Sequence, residues 1–352
     1  MTKLAWKPWH QVVSLRDDLR TGDLSLNQFA ADLYEVLMQR GARPIYEKPA
    51  EFFALTYPTY NLRQLAREVV LRLAGQNDKA VRQLALTYGG GKTHTLITLF
   101  HLVNDPEHLP DLPAVHEFVT DIGRTPPKAR VAALCADKLD VEKGMEVRSP
   151  CGETRWLKQP WSVLAYQIAG DEGIKLLSAT GSADERERAP AENLLQPHLA
   201  LPGKEGLATL VLIDELLMFA TEKIALAPEW RHRLVNFCQY LTQAATKVDR
   251  CCIVASLLAS DPRKSDRLGK EIQGELYDIF QREREEIVEP VVKQDVAEVL
   301  RRRFFKPDSI RDVAAFRPRV VEALKGIGVV DPQTQKEGAA AEERFLASYP
   351  FH

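Results

Sequence analysis

A glycine-rich turn joining a short apolar run to an apolar helix is the segment with the clearest chemical potential. Gln83–Thr87 has the composition of a strand, and Lys92–Val103 that of a helix. Glycines between them let the backbone curl without Cβ clashes, and their N–H groups, with the N-terminus of the helix, favour a phosphate group. The residues expected to bind phosphate are Gly89, Gly90, Gly91, Lys92, Thr93 and His94.

The lysine and threonine of this turn have distinct expected roles. Lys92 would reach the β- and γ-phosphates of a nucleotide, and the Thr93 hydroxyl would bind Mg²⁺. Leu86 departs from the full phosphate-loop pattern, which has glycine at that position. The alternative interpretation is therefore an ordinary glycine-rich turn before a helix.

A second apolar run, Leu207–Ile213, ends in two carboxylates, Asp214 and Glu215. Ligands of open α/β sheets bind where parallel strands end, so both carboxylates are expected beside the phosphate-binding turn. Asp214 would complete the Mg²⁺ site with Thr93, and Glu215 would accept a proton from the attacking water or orient it. Solvated acids that cap a strand are the alternative. Together the two segments predict binding of a nucleoside triphosphate with Mg²⁺.

Two further residues are candidates for a catalytic role. Ser256 lies near the end of the apolar run Cys251–Leu257, where its hydroxyl would lie beside the γ-phosphate, close to Lys92 and Asp214. A small residue in a crowded core turn is an equally good interpretation. Arg282 or Arg284 would stabilise the transition state in a neighbouring subunit of a homo-oligomer, or simply belong to a solvated helix end with alternating charges.

Four short apolar runs alternate with helical segments and predict a parallel α/β sheet covered on both faces. The expected strands are Gln83–Thr87, Ala129–Cys135, Ala208–Ile213 and Cys251–Leu257. We expect a helical N-terminal region over residues 1–80, the α/β core over 81–289 and a helical C-terminal region over 290–352. Residues 104–128, rich in proline, predict a partly irregular connection, and 171–200 a solvated surface segment.

Composition excludes several classes of protein. The 352 residues carry 47 basic and 49 acidic side chains, a net charge of −2, which argues against a polycationic DNA-coating protein. Five cysteines without a C-x-x-C pair disfavour a disulfide framework or a zinc site. The N-terminus lacks the apolar stretch of a secretory signal, and no apolar run is long enough to span a membrane. We therefore expect a cytoplasmic protein without a membrane partner.

The chain resembles the AAA+ class of P-loop ATPases and, more closely, the family named domain of unknown function 499 (DUF499). The resemblance spans nearly the whole sequence. Its strongest stretches are Phe29–Leu33, Phe52–Thr59, Gly89–Leu96 and Ile213–Leu216, with a weaker one at Trp161–Gly170.

This resemblance implies an AAA+-like P-loop fold, ATP as the nucleotide, and ATP-driven work in complexes that defend bacteria and archaea against phage. Family members are usually encoded beside DNA methyltransferases and helicases, so DNA and such proteins are the implied partners. Family members are typically longer, and the chain stops at His352, so we expect an amino-terminal fragment.

Three functional hypotheses follow from these residues and the resemblance. The first is an ATPase in which water attacks the γ-phosphate and the resulting conformational change acts on DNA or partner proteins. The second is a non-catalytic, ATP-dependent switch or scaffold for a methyltransferase or restriction complex. The third is a kinase, which the adjacent carboxylates of Asp214 and Glu215 disfavour because they suit water as the phosphoryl acceptor.

Overall fold

A four-stranded parallel sheet forms the centre of the chain. This computed structural model describes residues 9–20, 30–84, 91–257, 267–281, 288–292, 295–310 and 312–351. Its strands are β1 (Val81–Leu84), β2 (Ala129–Cys135), β3 (Met145–Arg148), β4 (Thr154–Leu157), β5 (Ala208–Asp214) and β6 (Cys251–Ser256). β1, β6, β5 and β2 lie side by side in that order, all parallel, while β3 and β4 form a separate antiparallel hairpin.

Helices connect the strands and extend to both ends of the described chain. They are α1 (Asp17–Arg20), α2 (Leu33–Met38), α3 (Pro44–Glu47), α4 (Pro49–Ala54), α5 (Tyr60–Leu73), α6 (Lys92–Asn104), α7 (Pro113–Ile122), α8 (Pro160–Leu177), α9 (Glu192–Leu199), α10 (Leu216–Leu226), α11 (Trp230–Lys247), α12 (Arg267–Phe280), α13 (Val296–Phe304), α14 (Pro307–Ile310), α15 (Arg317–Val330), α16 (Pro332–Glu337) and α17 (Ala339–Ser348). None of them, within the described ranges, is long and apolar enough to cross a membrane.

The chain divides into two compact units. The larger comprises residues 31–52 and 58–290 and contains both sheets. The smaller comprises 1–30, 53–57 and 291–352, and its own apolar cluster includes Val13, Phe316 and Val320.

Continuous apolar runs in the central strands reflect burial on both faces of the sheet. Every residue of β5 and β6 is buried. Val211 and Ile253 belong to a cluster with side chains of α8, α10, α11 and α12, whereas Leu210 and Val254 alternate with them and point to the opposite face. The prediction of a parallel α/β sheet flanked by helices is confirmed.

Residues 104–128 and 171–200 are more ordered than the sequence predicts, because their prolines and charged residues have structural roles. Pro113 occupies the first turn of α7, which proline tolerates, and the helix buries Phe118 and Ile122 inside the stretch predicted to be partly irregular. Residues 171–200, predicted to be a solvated surface segment, include the last turns of α8 and the whole of α9. Within them, the Glu185 carboxylate accepts hydrogen bonds from the backbone N–H groups of Lys158 and Gln159, just before α8.

One side chain closes part of the outer edge of β2. Gln167 of α8 donates from Nε2 to the Ala133 carbonyl and accepts from the Ala133 N–H, both at 2.7 Å. The amide therefore replaces one residue of a neighbouring strand at this position.

Candidate functional site

Three strands of the sheet end in the residues that form the candidate site. Asp214, the last residue of β5, is in register with Ser256 of β6 and Cys135 of β2. α6 begins at Lys92, and Gly91, its N-cap, has a φ of +78°, a left-handed conformation that favours glycine. The parallel strands and the helix N-terminus thus meet at one edge of the sheet.

A direct hydrogen bond joins the two segments that the sequence predicts to meet. Thr93 Oγ1 donates to Asp214 Oδ2 at 2.9 Å. The two residues are 121 positions apart in the chain, so this contact depends on the fold rather than on local sequence. It places a hydroxyl and a carboxylate, both ligand types that Mg²⁺ prefers, next to each other.

Burial dominates the electrostatics of Asp214. The side chain is almost fully buried, and desolvation raises its pKa from 3.8 to about 6, although Thr93, Lys92 and Ser256 oppose the shift. The Ser256 hydroxyl is close enough to lower this pKa, but its geometry falls short of a regular hydrogen bond. Asp214 Oδ1 and Ser256 Oγ therefore stay buried without a hydrogen-bond partner among the described residues. A bound cation would satisfy the free carboxylate oxygen.

Glu215 holds a backbone conformation that is rare for a residue with a Cβ atom. Its φ is +56°, and its backbone N–H donates to the Ser256 carbonyl at 3.0 Å. Left-handed conformations of non-glycine residues cost free energy and concentrate at functional sites. Desolvation, together with the nearby charges of Asp214 and Asp137, raises the pKa of the Glu215 carboxyl.

Lys92 experiences opposing influences. Partial burial lowers the pKa of its ammonium group, and the carboxylates of Glu215 and Asp214 oppose that shift. The lysine therefore lies close enough to both acids to interact electrostatically with them.

A cavity of about 110 Å³ opens beside the hydrogen bond between Thr93 and Asp214. Besides the predicted residues, Asp32, Asp137 and Lys138 line it. None of these three residues is among those that the sequence predicts for the site. A signal for two of them was present, because Asp137 and Lys138 follow the predicted strand Ala129–Cys135 as Asp214 and Glu215 follow theirs.

Lys138 links the additional acids of this cavity. Its Nζ lies 3.0 Å from Asp137 Oδ2 and 3.3 Å from Asp32 Oδ2, and these contacts outweigh burial and raise the pKa of its ammonium group. The cavity is thus lined by four carboxyl groups, those of Asp32, Asp137, Asp214 and Glu215, and one ammonium group. The lining thus has more acidic than basic groups, although no group of three or more described His, Cys, Asp and Glu side chains is arranged to hold a metal ion by itself.

Other predicted residues lie elsewhere or outside the described ranges. His94 stacks on Phe52, with ring centroids 4.5 Å apart and 30° between the planes, and thus packs against α4. Gly89, Gly90, Arg282 and Arg284 lie outside the described residues. The structure brings together Lys92, Thr93, Asp214, Glu215 and Ser256.

The described residues fit Mg²⁺. Thr93 Oγ1 and Asp214 would supply oxygen ligands, and the buried Oδ1 atom lacks a partner that a cation would provide. Magnesium is typically held by one or two protein groups together with phosphate oxygens and water, which suits a site of this composition.

One family model matches this chain when it is compared with known proteins. No curated protein and no solved structure matches the chain. The family model described as the DUF499 N-terminal domain matches residues 9–278, which is more than half of the sequence and covers every residue of the candidate site. The chain therefore belongs to the DUF499 N-terminal domain family.

Proposed function

We propose that this protein binds Mg·ATP at the carboxyl edge of its parallel sheet and hydrolyses it. The observation that carries the proposal is the 2.9 Å hydrogen bond from Thr93 Oγ1 to Asp214 Oδ2, next to Lys92 and after three glycines. A glycine-rich turn, a lysine and a hydroxyl facing a buried carboxylate are the parts that a phosphate site with a divalent cation requires.

Each residue has a role that follows from its position. The helix N-terminus at Gly91 and the Lys92 ammonium would bind phosphate oxygens. Thr93 and Asp214 would hold Mg²⁺, which, when bound, screens phosphate charge and orients the terminal phosphate groups. In the proposed reaction, Glu215 orients water and accepts its proton, and a raised pKa makes this carboxylate a stronger base.

Two substitutions separate binding from turnover. Lys92→Ala should weaken ATP binding at least tenfold, because it removes a charge-assisted contact with phosphate. Glu215→Gln should leave the dissociation constant within about twofold and reduce phosphate release at least a hundredfold. Lys175→Ala, which changes an exposed lysine paired with Glu172, is the matched control. Absence of ATP binding at micromolar concentrations with Mg²⁺ would refute the proposal.

A nucleotide-dependent scaffold predicts the same binding without turnover. Single-turnover measurements on the unsubstituted protein separate the two functions. The ATPase is supported if the unsubstituted protein releases phosphate and Glu215→Gln abolishes the release. The scaffold is supported if the unsubstituted protein binds ATP tightly without releasing phosphate and Glu215→Gln leaves that binding unchanged.

A DNA-directed role in phage defence depends on the family resemblance rather than on the site. If ATP hydrolysis acts on DNA or on a methyltransferase complex, double-stranded DNA should increase the rate of phosphate release. A rate that DNA leaves unchanged would remove DNA as the direct partner while leaving the nucleotide site intact.

A further inference from the structure

A second cavity lies at the opposite end of β2 from the candidate nucleotide site. Its volume is about 230 Å³, and it is lined by the start of the strand, including Lys128 and Val131, and by Arg148, which ends β3. Cys135, the last residue of β2, lines the nucleotide cavity instead. Val131 and Cys135 are the nearest residues of β2 that line the two cavities, and at about 3.3 Å per residue roughly 13 Å of strand separates them, so the cavities are distinct.

Backbone groups on the outer edge of β2 face this second cavity. The Lys128 carbonyl accepts a hydrogen bond from the Ala208 N–H at 3.0 Å, so the backbone groups of Lys128 point toward β5. Backbone groups of successive residues in a strand point in alternate directions, and those of Ala129, Val131 and Ala133 therefore point away from β5. Gln167 pairs with Ala133. Ala129 and Val131 line the cavity, and their outward N–H and C=O groups have no hydrogen-bond partner in the described part of the chain.

The charge around this open edge is positive. Lys128, Arg130 and Arg148 line the cavity, and none of its described lining residues is acidic, although Lys128 Nζ lies 3.7 Å from Asp105 Oδ1, outside the lining. Arg148 donates to two neutral oxygens, Gln39 Oε1 at 2.7 Å and the Met38 carbonyl at 3.4 Å. Arg130 pairs with Glu205, but its Nε is buried and has no hydrogen-bond partner among the described residues.

We propose that the open edge of β2 binds an extended acidic peptide segment of a partner protein as an additional strand. The outward groups of Ala129 and Val131 include carbonyls as well as N–H donors, so a full set of hydrogen bonds needs a ligand that both donates and accepts. A peptide backbone presents donors and acceptors in turn at the spacing of a strand, whereas a single phosphate ion presents mainly acceptor oxygens and cannot match that spacing. Carboxylates on the peptide would complement Lys128 and Arg148. This inference is independent of the proposed nucleotide binding.

Charge complementarity is tested with two labelled hexapeptides, one of alternating glutamate and valine and one of alternating lysine and valine. Fluorescence anisotropy should show binding of the acidic peptide only. Arg148→Gln should weaken it about tenfold, as should Lys128→Gln at an exposed position that tolerates substitution. Arg155→Gln is the matched control, because this arginine of the same hairpin pairs with Asp171 outside the cavity.

Strand addition is tested with the acidic peptide methylated at every backbone amide, which keeps the charges but removes the donors. Its binding should be lost. Equal binding of the methylated or the basic peptide would overturn the proposal, as would no binding of the acidic peptide at millimolar concentration. Displacement by inorganic phosphate or by a single-stranded oligonucleotide, as effective as displacement by unlabelled peptide, would identify a simple anion site and overturn it too.

Discussion

Thr93 is the residue at which the magnesium hypothesis is most directly tested. Thr93→Val keeps the shape of the side chain and removes the hydroxyl that donates to Asp214. We expect the ATP affinity of the variant in the presence of Mg²⁺ to fall about tenfold, while its affinity without Mg²⁺ changes little. ATP titrations with and without Mg²⁺ measure this difference.

Thr93→Ser is the matched control, because serine retains the hydroxyl. It should bind ATP with nearly the Mg²⁺ dependence of the unsubstituted protein. If valine and serine behave alike, the hydroxyl has no part in binding the cation, and the hydrogen bond to Asp214 is purely structural.

His198 of α9 is expected to make the larger unit sensitive to acid. Its ring is buried, neither nitrogen has a hydrogen-bond partner among the described residues, and burial lowers its pKa from 6.5 to about 4. The unfolded chain takes up a proton as pH falls through 6.5, and the folded one only near pH 4. The free energy of unfolding should therefore decrease by about 3 kcal/mol across this range because of His198 alone.

His198→Leu should reduce the pH dependence of stability between pH 4 and 6.5, and should be at least as stable at pH 7, because it removes unsatisfied polar atoms. Urea unfolding at several pH values measures this. His101, whose pKa burial also lowers to about 4, should retain its own contribution. Leu199→Ala, in the same helix, should lower stability equally at all pH values. An unchanged pH profile in His198→Leu would contradict the assignment.

The residues of the candidate site were predictable to the extent that they follow strands. Asp214 and Ser256 were selected as the ends of apolar runs, and they are adjacent in register. Asp32 carries no such signal, because it caps the short helix α2, far away in sequence. Its place in the cavity depends on how residues 31–34 pack against the sheet, which periodicity does not encode.

At the scale of elements, strands were easier to predict than the segments between them. Ala129–Cys135 matches β2 in both bounds, because its residues are apolar apart from Arg130 and mostly buried. β1 begins at Val81, two residues before the predicted strand Gln83–Thr87, and residues 85–87 lie outside the described ranges. The hairpin of β3 and β4 was missed, since Met145–Arg148 is only four residues long and two of its four side chains are charged. Its pairing depends on tertiary contacts more than on intrinsic propensity.

Arg72 is the clearest example of one side chain that joins elements. From the end of α5 its Nε donates to the Cys251 carbonyl at 2.9 Å, and its Nη2 donates to those of Ala245 and Val248 at 3.2 and 2.9 Å. Arg72→Met would leave the carbonyls of Cys251 and Val248 without this donor, at a cost of about 3 kcal/mol in the free energy of unfolding, whereas the Ala245 carbonyl would keep the N–H of Val248. Arg72→Lys should recover only part of this, because an ammonium group lacks the planar fork.

Chemical denaturation measures both variants, and an exposed arginine supplies the control. Arg267→Met removes an exposed side chain whose partner among the described residues is Glu271 on the surface of α12, so its effect should stay within about 0.5 kcal/mol. An Arg72→Met variant as stable as this control would mean that water replaces the guanidinium at the carbonyls.

At the scale of the whole molecule, all residues of the proposed nucleotide site belong to the larger unit. Lys92, Asp214 and Glu215 lie within residues 58–290, whose apolar cluster surrounds the sheet. The smaller unit has its own cluster around Phe316 and Val320. The division of the chain into residues 1–80, 81–289 and 290–352 stays a prediction. Contacts between distant segments, such as 1–30 and 291–352, define these units and are not visible in local composition.

Ligand binding should therefore protect the two units unequally. A ligand that binds only the folded state stabilises it by about 2.7 kcal/mol at a concentration 100 times its dissociation constant. Hydrogen exchange with Mg·ATP should then slow by about a hundredfold for the core amides of β5 and β6. The amides of α13, α15 and α17 should change little. At the same ATP concentration the Lys92→Ala variant, which binds at least tenfold more weakly, should show about tenfold protection or less in the larger unit. Equal protection in both units of the unsubstituted protein would show that they unfold together.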